Sequence, residues 1–375
     1  MRLAMLTNNP MPPREGIGRH VQEIGTRLQA RGHEVTVLAR GPAFTRWSES
    51  TVAGLRVRHF PYYPLRPFQH ALARGELASW LAGGADGAEL LHVHLPLMPP
   101  LSTRLPIVAT IHSPMIQDTA AIPEAGLRPV LIKANARLFS RRYEQWYLDH
   151  AAAIVAVSHQ VADELRVAYR LRGRRPSVVP NGVDTNFFGF APAEGRHGVL
   201  YVGRLGYRKG LSRLLEAFAR LPHRPGLELA LVGEGPLELP LRRRAQALGI
   251  AGRVRFTGFL DRAGVRTEMQ RAACLVNPAD YETGPLTLLE AMSCGTPVVT
   301  TPTGIAAQLG LGAPLLLVSP DPDGLAVGID DVLSDPETAA TRARAARTLM
   351  VTSFGWDHVV DALERVYLLW QERVA

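Results

Sequence analysis

The chain has 375 residues, 46% of them hydrophobic and 20% charged, with a formal net charge of +8. That length asks for two cores rather than one, and the composition can fill them while excluding a disordered chain. No run approaches the roughly 18 uninterrupted apolar residues of a membrane-spanning helix, the two cysteines, Cys274 and Cys294, lack metal-ligand spacing, and no zinc-finger or RNP-type motif accompanies the positive charge, so nucleic acid is not an expected partner.

The opening apolar run is too short for a signal sequence and stops at Thr7-Asn8-Asn9-Pro10, which predicts a buried first strand, Leu3–Leu6, in a protein that works in the cytoplasm. A loop carrying Gly16 and Gly18 leads from it into a helix. Val21 stands where the third glycine of a dinucleotide fingerprint belongs, so these glycines serve a turn and a close backbone approach to a ligand. Further strands are expected at Glu34–Ala39, Leu90–His94, Ile107–Ile111, Ala153–Val157 and Ser177–Val179, separated by amphipathic stretches. His92, His94 and His112 end two of these strands, where satisfied core histidines are the ordinary case. They have no acidic partner at ligand spacing, and no metal site is expected there.

The whole charge excess lies in this half: 22 basic against 14 acidic side chains up to residue 190, then 20 of each. Lys133, Arg137 and Arg141 recur on successive helical turns, Arg166, Arg170, Arg172, Arg174 and Arg175 form a second cluster, and Pro61 to Phe68 adds aromatic side chains. An ordinary solvated helix face is one reading. The other is a domain that docks on an anionic membrane surface to reach its acceptor.

The turn-rich Pro180-Asn181-Gly182-Val183-Asp184 marks a boundary, with Gly195 to Gly198 as a hinge before the next strand. Strands are then expected at Val199–Val202, Glu228–Val232, Arg253–Thr257, Ala273–Asn277 and Pro297–Thr301, giving a second parallel sheet in an α/β protein. After the first of these, Gly203-Arg204 and Lys209-Gly210 place two cations at the mouth of a βα turn, where they can meet a diphosphate. Lys209 is one of two lysines against 40 arginines, so a compact ammonium is an exception that asks for a reason. After the strand at Ala273–Asn277 comes Tyr281-Glu282-Thr283-Gly284-Pro285-Leu286-Thr287-Leu288-Leu289-Glu290. Pro285 suits the first helical position, and the free amides of Leu286 and Thr287, with the helix dipole behind them, form a site for phosphate oxygens. Glu282 and Glu290 flank it. The stretch from Trp356 to Glu372 is a helical pattern with no strand after it.

In order, these motifs resemble glycosyltransferase family 4, a retaining family of GT-B fold. The likeness covers Gly16 and Gly18, His112, Val157-Ser158, Pro180 to Asp184, Gly203-Arg204 with Lys209-Gly210, Gly233 to Pro236, Phe256-Thr257-Gly258, the Glu282 and Glu290 pair, and Gly295 to Val299. Two positions depart from it: Gly284-Pro285 replaces an aromatic residue and a glycine, and Thr303-Gly304-Ile305-Ala306-Ala307-Gln308 replaces paired glycines and a glutamate.

The resemblance implies two Rossmann-like, doubly wound parallel-sheet domains facing a central cleft. Residues 1–190 would bind the acceptor, residues 191–352 the nucleotide sugar, and residues 353–375 would form a helix crossing back to the first domain. It further implies that Arg204 and Lys209 neutralise the donor diphosphate, that Glu282 holds hydroxyls of the transferred sugar and Glu290 the ribose, and that His112 lies near sugar and acceptor. Phe259 and Leu260, after Gly258, would flank the base, with Gly16, Gly18 and Gly203 lining the donor. The expected reaction is transfer with retention from a nucleotide diphosphate sugar to a hydroxyl acceptor, without a cofactor. No metal is expected either, since no Asp-x-Asp triplet sits in a metal-binding loop. The rival readings are an epimerase or phosphorylase of the same fold, or an inert sugar-nucleotide-binding subunit.

Overall fold

The computed structural model describes residues 1–65, 69–122, 127–310 and 314–374. The chain packs into two units, the first comprising Met1–Ala120, Glu124–Asn181 and Trp356–Ala375, the second Ala121–Pro123 and Gly182–Gly355.

The first unit is built on eight strands: β1 Arg2–Thr7, β2 Glu34–Ala43, β3 Ser48–Val52, β4 Leu55–Tyr62, β5 Leu90–Leu95, β6 Ile107–Ile111, β7 Ala153–Ala156 and β8 Ser177–Val178. They lie in the order β3-β4-β2-β1-β5-β6-β7-β8, parallel except for the β3/β4 pair. Leu91, Val93, Leu95, Ile107, Ala109, Ile111, Ile154 and Ala156 fill one core, the continuous apolar runs expected of parallel strands covered on both faces. The sequence reading missed β3 and β4. Four of the five β3 side chains are exposed, so hydrophobic periodicity carries no signal there, and the hairpin turns through Ala53 and Gly54, both with positive φ, in place of an Asn-Gly pair.

The helix Trp356–Val374 belongs to this unit. Trp356, Val359, Val360, Leu363 and Tyr367 make its buried stripe. Arg31, ending the helix Gly16–Ala30, donates to Asp361 at 2.6 Å and to Glu364 at 2.6 Å. The Trp370 side chain lies outside the described residues.

The second unit has β9 Val199–Val202, β10 Leu229–Val232, β11 Val254–Gly258, β12 Cys274–Asn277, β13 Val298–Thr300 and β14 Leu316–Leu317, all parallel, in the order β11-β10-β9-β12-β13-β14. This is the doubly wound dinucleotide-fold order, in which strand succession reverses between β9 and β12 and opens a ligand crevice at the strand C-termini. In the first unit the equivalent reversal lies between β1 and β5.

The break between units falls at Asn181, inside the turn-rich segment. Val183 donates to the Phe354 carbonyl at 2.8 Å, and Phe188 is buried in the second core, which draws residues 182–190 into the second unit. The expected hinge at Gly195 to Gly198 is anchored instead: the Arg196 guanidinium donates to the carbonyls of Pro192, Ala191, Met269, Ala272 and Cys294. No helix among the described residues is long and apolar enough to cross a membrane.

Candidate active site

In the second unit the loops after β9, β10, β11 and β12 are zipped together by their own backbone. Gly203 donates to Val232, Leu205 to Glu234, Gly233 to Gly258 and Asp280 to Arg208, each at 2.9 Å. Such close approach needs glycine. A Cβ on Gly233 would drive into the Gly203 carbonyl, and one on Gly210, held at φ +65°, into the Pro278 carbonyl. The loops are thus fixed by their own backbone.

On this scaffold Lys209 donates to Glu282, with both side chains largely covered. The lysine follows β9 and the glutamate follows β12, so the pair spans the switch point. Behind them Arg213 donates to Asp280 at 2.6 Å and to the Pro278 carbonyl at 3.1 Å, tying the helix Leu211–Arg220 to the loop that presents Glu282. Tyr201 donates to the Arg204 carbonyl at 3.0 Å, and burial, with Glu282 close by, raises its phenol well above the ordinary range. The Arg204 side chain is exposed and holds no ion pair among the described residues. Arg213, Asp280 and Tyr201 were not singled out from the sequence, because their partners lie on other elements.

The helix after Glu282 begins at Leu286, with Pro285 in the capping position rather than the first helical one, a shift of one residue from expectation. The amides of Leu286 and Thr287 still open the helix, and its eight residues run Leu286–Ser293. Glu290 is half-buried and has an interaction partner. Gly304, in the loop that departs from the family pattern, lies against Glu282 and Thr283: a Cβ there would enter both their carbonyls, and Ile305 donates to the Thr283 carbonyl at 3.1 Å. That loop therefore shapes the backbone carrying Glu282. Phe259 is exposed beyond β11, while Leu260 packs partly into the core. The one Asp-x-Asp triplet, Asp321-Pro322-Asp323, is spent elsewhere. Asp321 caps the helix Pro322–Ser334, accepting from Gly324 at 2.9 Å, and Asp323 pairs with Arg220.

In the first unit Gly16 opens the helix Gly16–Ala30, and Gly18 packs against Pro13 and Asn9. The same helix carries His20, which joins His94, at the end of β5, and His112, just after β6, in one buried cluster. His20 Nδ1 lies 2.9 Å from Asn181 Oδ1, and His94 Nδ1 lies 3.2 Å from His112 Nε2. Neighbouring His92 is fully engaged, by Thr110 at one ring nitrogen and by the Tyr367 hydroxyl at the other, both at 2.7 Å. Burial holds His20 down at about 4 and His92 at about 3, and pushes His94 and His112 well below their ordinary value, so all four are neutral at pH 7. His92 fits the satisfied-core reading. His20 Nε2 and His94 Nε2 do not, being buried without a hydrogen-bond partner among the described residues.

Of the first basic cluster, Arg137 and Arg141 are exposed and Lys133 is half-buried, with exposed Arg142 beside them, and Val130, Leu131, Leu138 and Phe139 stand exposed on the same segment; Arg166, Arg170, Arg172 and Arg175 of the second cluster are exposed as well. Arg141 donates to the Ala168 carbonyl, and Arg174 donates to the carbonyls of Leu148 and Ala151, so the second cluster is partly structural. Arg66, Pro67 and Phe68 lie outside the described residues.

Comparison with known proteins bears on both units. A family model described as Glycosyltransferase Family 4 matches residues 14–187, and one described as Glycosyl transferases group 1 matches residues 183–349. Glycogen synthase of Mycobacterium tuberculosis is 30% identical, the alignment covering 94% of this chain and 91% of the relative. The phosphatidyl-myo-inositol mannosyltransferase of Mycolicibacterium smegmatis is 30% identical over 98% of this chain and 93% of its own. Among solved structures, sucrose-phosphate synthase from Thermosynechococcus elongatus superposes with a TM-score of 0.82 at 22% identity, covering 99% of both chains. Anabaena HepE in complex with UDP-glucose gives 0.70 at 19% identity, over 99% of this chain and 100% of that one.

Proposed function

Since the chain belongs to glycosyltransferase family 4 and is a glycosyltransferase of GT-B type, we propose that it moves a sugar with retention from a nucleoside diphosphate donor, UDP- or GDP-linked, to a hydroxyl acceptor. The observation that carries this reading is the Lys209–Glu282 pair across the β9/β12 switch point, on loops locked by glycine. Without donor the two side chains neutralise each other. A donor brings diphosphate oxygens to the ammonium and sugar hydroxyls to the carboxylate, so each keeps a partner of the right polarity when the pair opens. Arg204 adds a second cation at the diphosphate, and the Leu286 and Thr287 amides supply fixed dipoles. Glu290 takes the ribose, and Phe259 with Leu260 the base.

As the bond between the anomeric carbon and the diphosphate oxygen breaks, negative charge grows where Arg204 and Lys209 already stand. The acceptor oxygen bonds to the anomeric carbon from the face the leaving group vacates, and its proton passes to a phosphate oxygen of the leaving diphosphate. His112 lies beside sugar and acceptor in this scheme. Two cations and a helix N-terminus do the work of a metal clamp, so the reaction runs without a divalent cation. The test is release of nucleoside diphosphate from a panel of UDP- and GDP-sugars in excess chelator. Activity that vanishes with chelator and returns with magnesium would defeat the metal-free reading. Sugar isomerised without an acceptor, or nucleoside diphosphate never released, would favour the epimerase or the inert subunit.

For the acceptor we favour one at an anionic membrane surface. Exposed Leu138 and Phe139 beside Arg137 and Arg142 offer apolar insertion together with charge, each near-surface cation adding about 1 kcal/mol, and one relative acts on phosphatidyl-myo-inositol. Binding to anionic vesicles that fades with salt and with Arg137→Gln/Arg142→Gln is expected in co-sedimentation. Equal binding to neutral vesicles, or none at low salt, would leave a water-borne acceptor.

A further inference from the structure

We propose that His20, His94 and His112 form a binding site for a borderline divalent transition metal of the zinc and cobalt class. One ring nitrogen from each lies within 4.8 Å of the other two, and all three residues are buried. The 3.2 Å between His94 Nδ1 and His112 Nε2 matches the ligand-to-ligand edge of about 3.3 Å around tetrahedral zinc with bonds near 2.0–2.1 Å.

The tautomers favour the same end. The Asn181 amide oxygen accepts from His20 Nδ1–H, which leaves Nε2 bare, and Nε2 is the nitrogen without a partner. An oxygen on the far ring nitrogen is the usual means of orienting a metal-bound imidazole. Burial keeps all three rings neutral, the ligating form, so little competes with the metal at pH 7. The proton shared between His94 and His112 moves to the other nitrogen of its own ring as the metal takes its place, so no net proton is lost. Three imidazoles leave a fourth position for water or an anion. With no carboxylate in the set, magnesium and calcium are poor fits.

An all-apolar explanation, three histidines merely packed edge to face, leaves His20 Nε2 buried and unpaired, at a cost of about 1–3 kcal/mol, and a metal supplies the partner it lacks. The site is invisible in the linear sequence because its ligands come from a helix and from the ends of two different strands. Occupancy would also consume the His112 lone pair, and this consequence alone rests on the transfer reading.

The experiment titrates the full chain with cobalt(II) at pH 7.5, followed by its visible d–d absorption and by calorimetry, with zinc in competition and magnesium as control. One equivalent with a nitrogen-ligand spectrum is expected, displaced by zinc and reversed by chelator. His20→Gln and His94→Gln should each weaken binding at least tenfold and Asn181→Ala about 10–100-fold, with circular dichroism confirming that the variants fold. Should they misfold, the wild-type spectrum decides: octahedral, oxygen-rich bands or no saturable equivalent overturn the site. So does unchanged affinity in folded variants, which would mean packing only. Zinc that binds in this way yet leaves turnover unchanged supports the site and removes His112 from the reaction.

Discussion

At the β9/β12 switch point the side chains are charged and paired across loops: Lys209 with Glu282, Arg213 with Asp280. At the β1/β5 switch point of the other unit they are neutral imidazoles, sealed from water and held by Asn181, Thr110 and Tyr367. The two sheets offer the same crevice at the same topological place, yet one answers it with ion pairs on rigid backbone and the other with a buried hydrogen-bond network. Charge at a strand end suits a ligand that arrives charged. Neutral imidazoles suit a task in which a lone pair, rather than a field, is needed.

The sharpest way to break the contrast is to remove the charge. Lys209→Ala or Arg204→Ala should lower turnover by at least about a hundredfold, the scale of lost transition-state electrostatics, while the thermal midpoint holds. Wild-type turnover in either variant would falsify the electrostatic half.

Acid should instead strike the histidine half. His20 falls from an ordinary 6.5 to about 4 on folding, so its neutral, buried form supports the fold fully above pH 6.5. That support is lost as pH falls through 4, on the order of 2 kcal/mol of it by pH 5. Glu144 runs the other way. Burial raises its carboxyl from 4.5 to about 7, so its contribution is complete below 4.5 and lost as pH rises through 7. Denaturant midpoints measured from pH 8 to pH 4 should pass through a maximum, and the acid limb should flatten in His20→Gln. An acid limb unchanged by that substitution would assign the loss to other groups.

The smallest expected effect is Tyr367→Phe, which leaves His92 Nδ1 without its hydrogen-bond partner at a cost of about 1 kcal/mol. Calorimetric unfolding measures it, and no shift would show that the network tolerates the gap.

These two regions also differ in how far they could be read in advance. Arg204, Lys209, Glu282, Leu286 and Thr287 stand out in the sequence because each follows a strand-ending apolar run with a glycine or proline beside it, so local chemistry is enough to propose them as a site. The strand-end place of His112 is legible, but its company is not. His20 and Asn181 meet across 161 residues, and only the fold brings them together. The apolar runs of buried parallel strands fix eleven of the strand positions closely and miss β3, β4 and β14; the exposed side chains of β3 obey no hydrophobic rule. Pro285 slipped by one place because its extended ψ of 119° keeps it out of the helix, which proline composition alone does not reveal.

The helix Trp356–Val374 closes a unit that begins at residue 1, and Tyr367 meets His92 across 275 residues. During synthesis, then, the first sheet leaves the ribosome long before its last piece exists. Its strands can pair as they emerge, but the surface meant for Trp356, Val360 and Tyr367 stays uncovered while the whole second unit is being made. The second unit, drawn almost wholly from the single run Gly182–Gly355, has no such wait and can finish first. The usual vectorial order, in which the amino-terminal unit matures ahead of its carboxy-terminal neighbour, cannot complete the first unit until the final helix has been made.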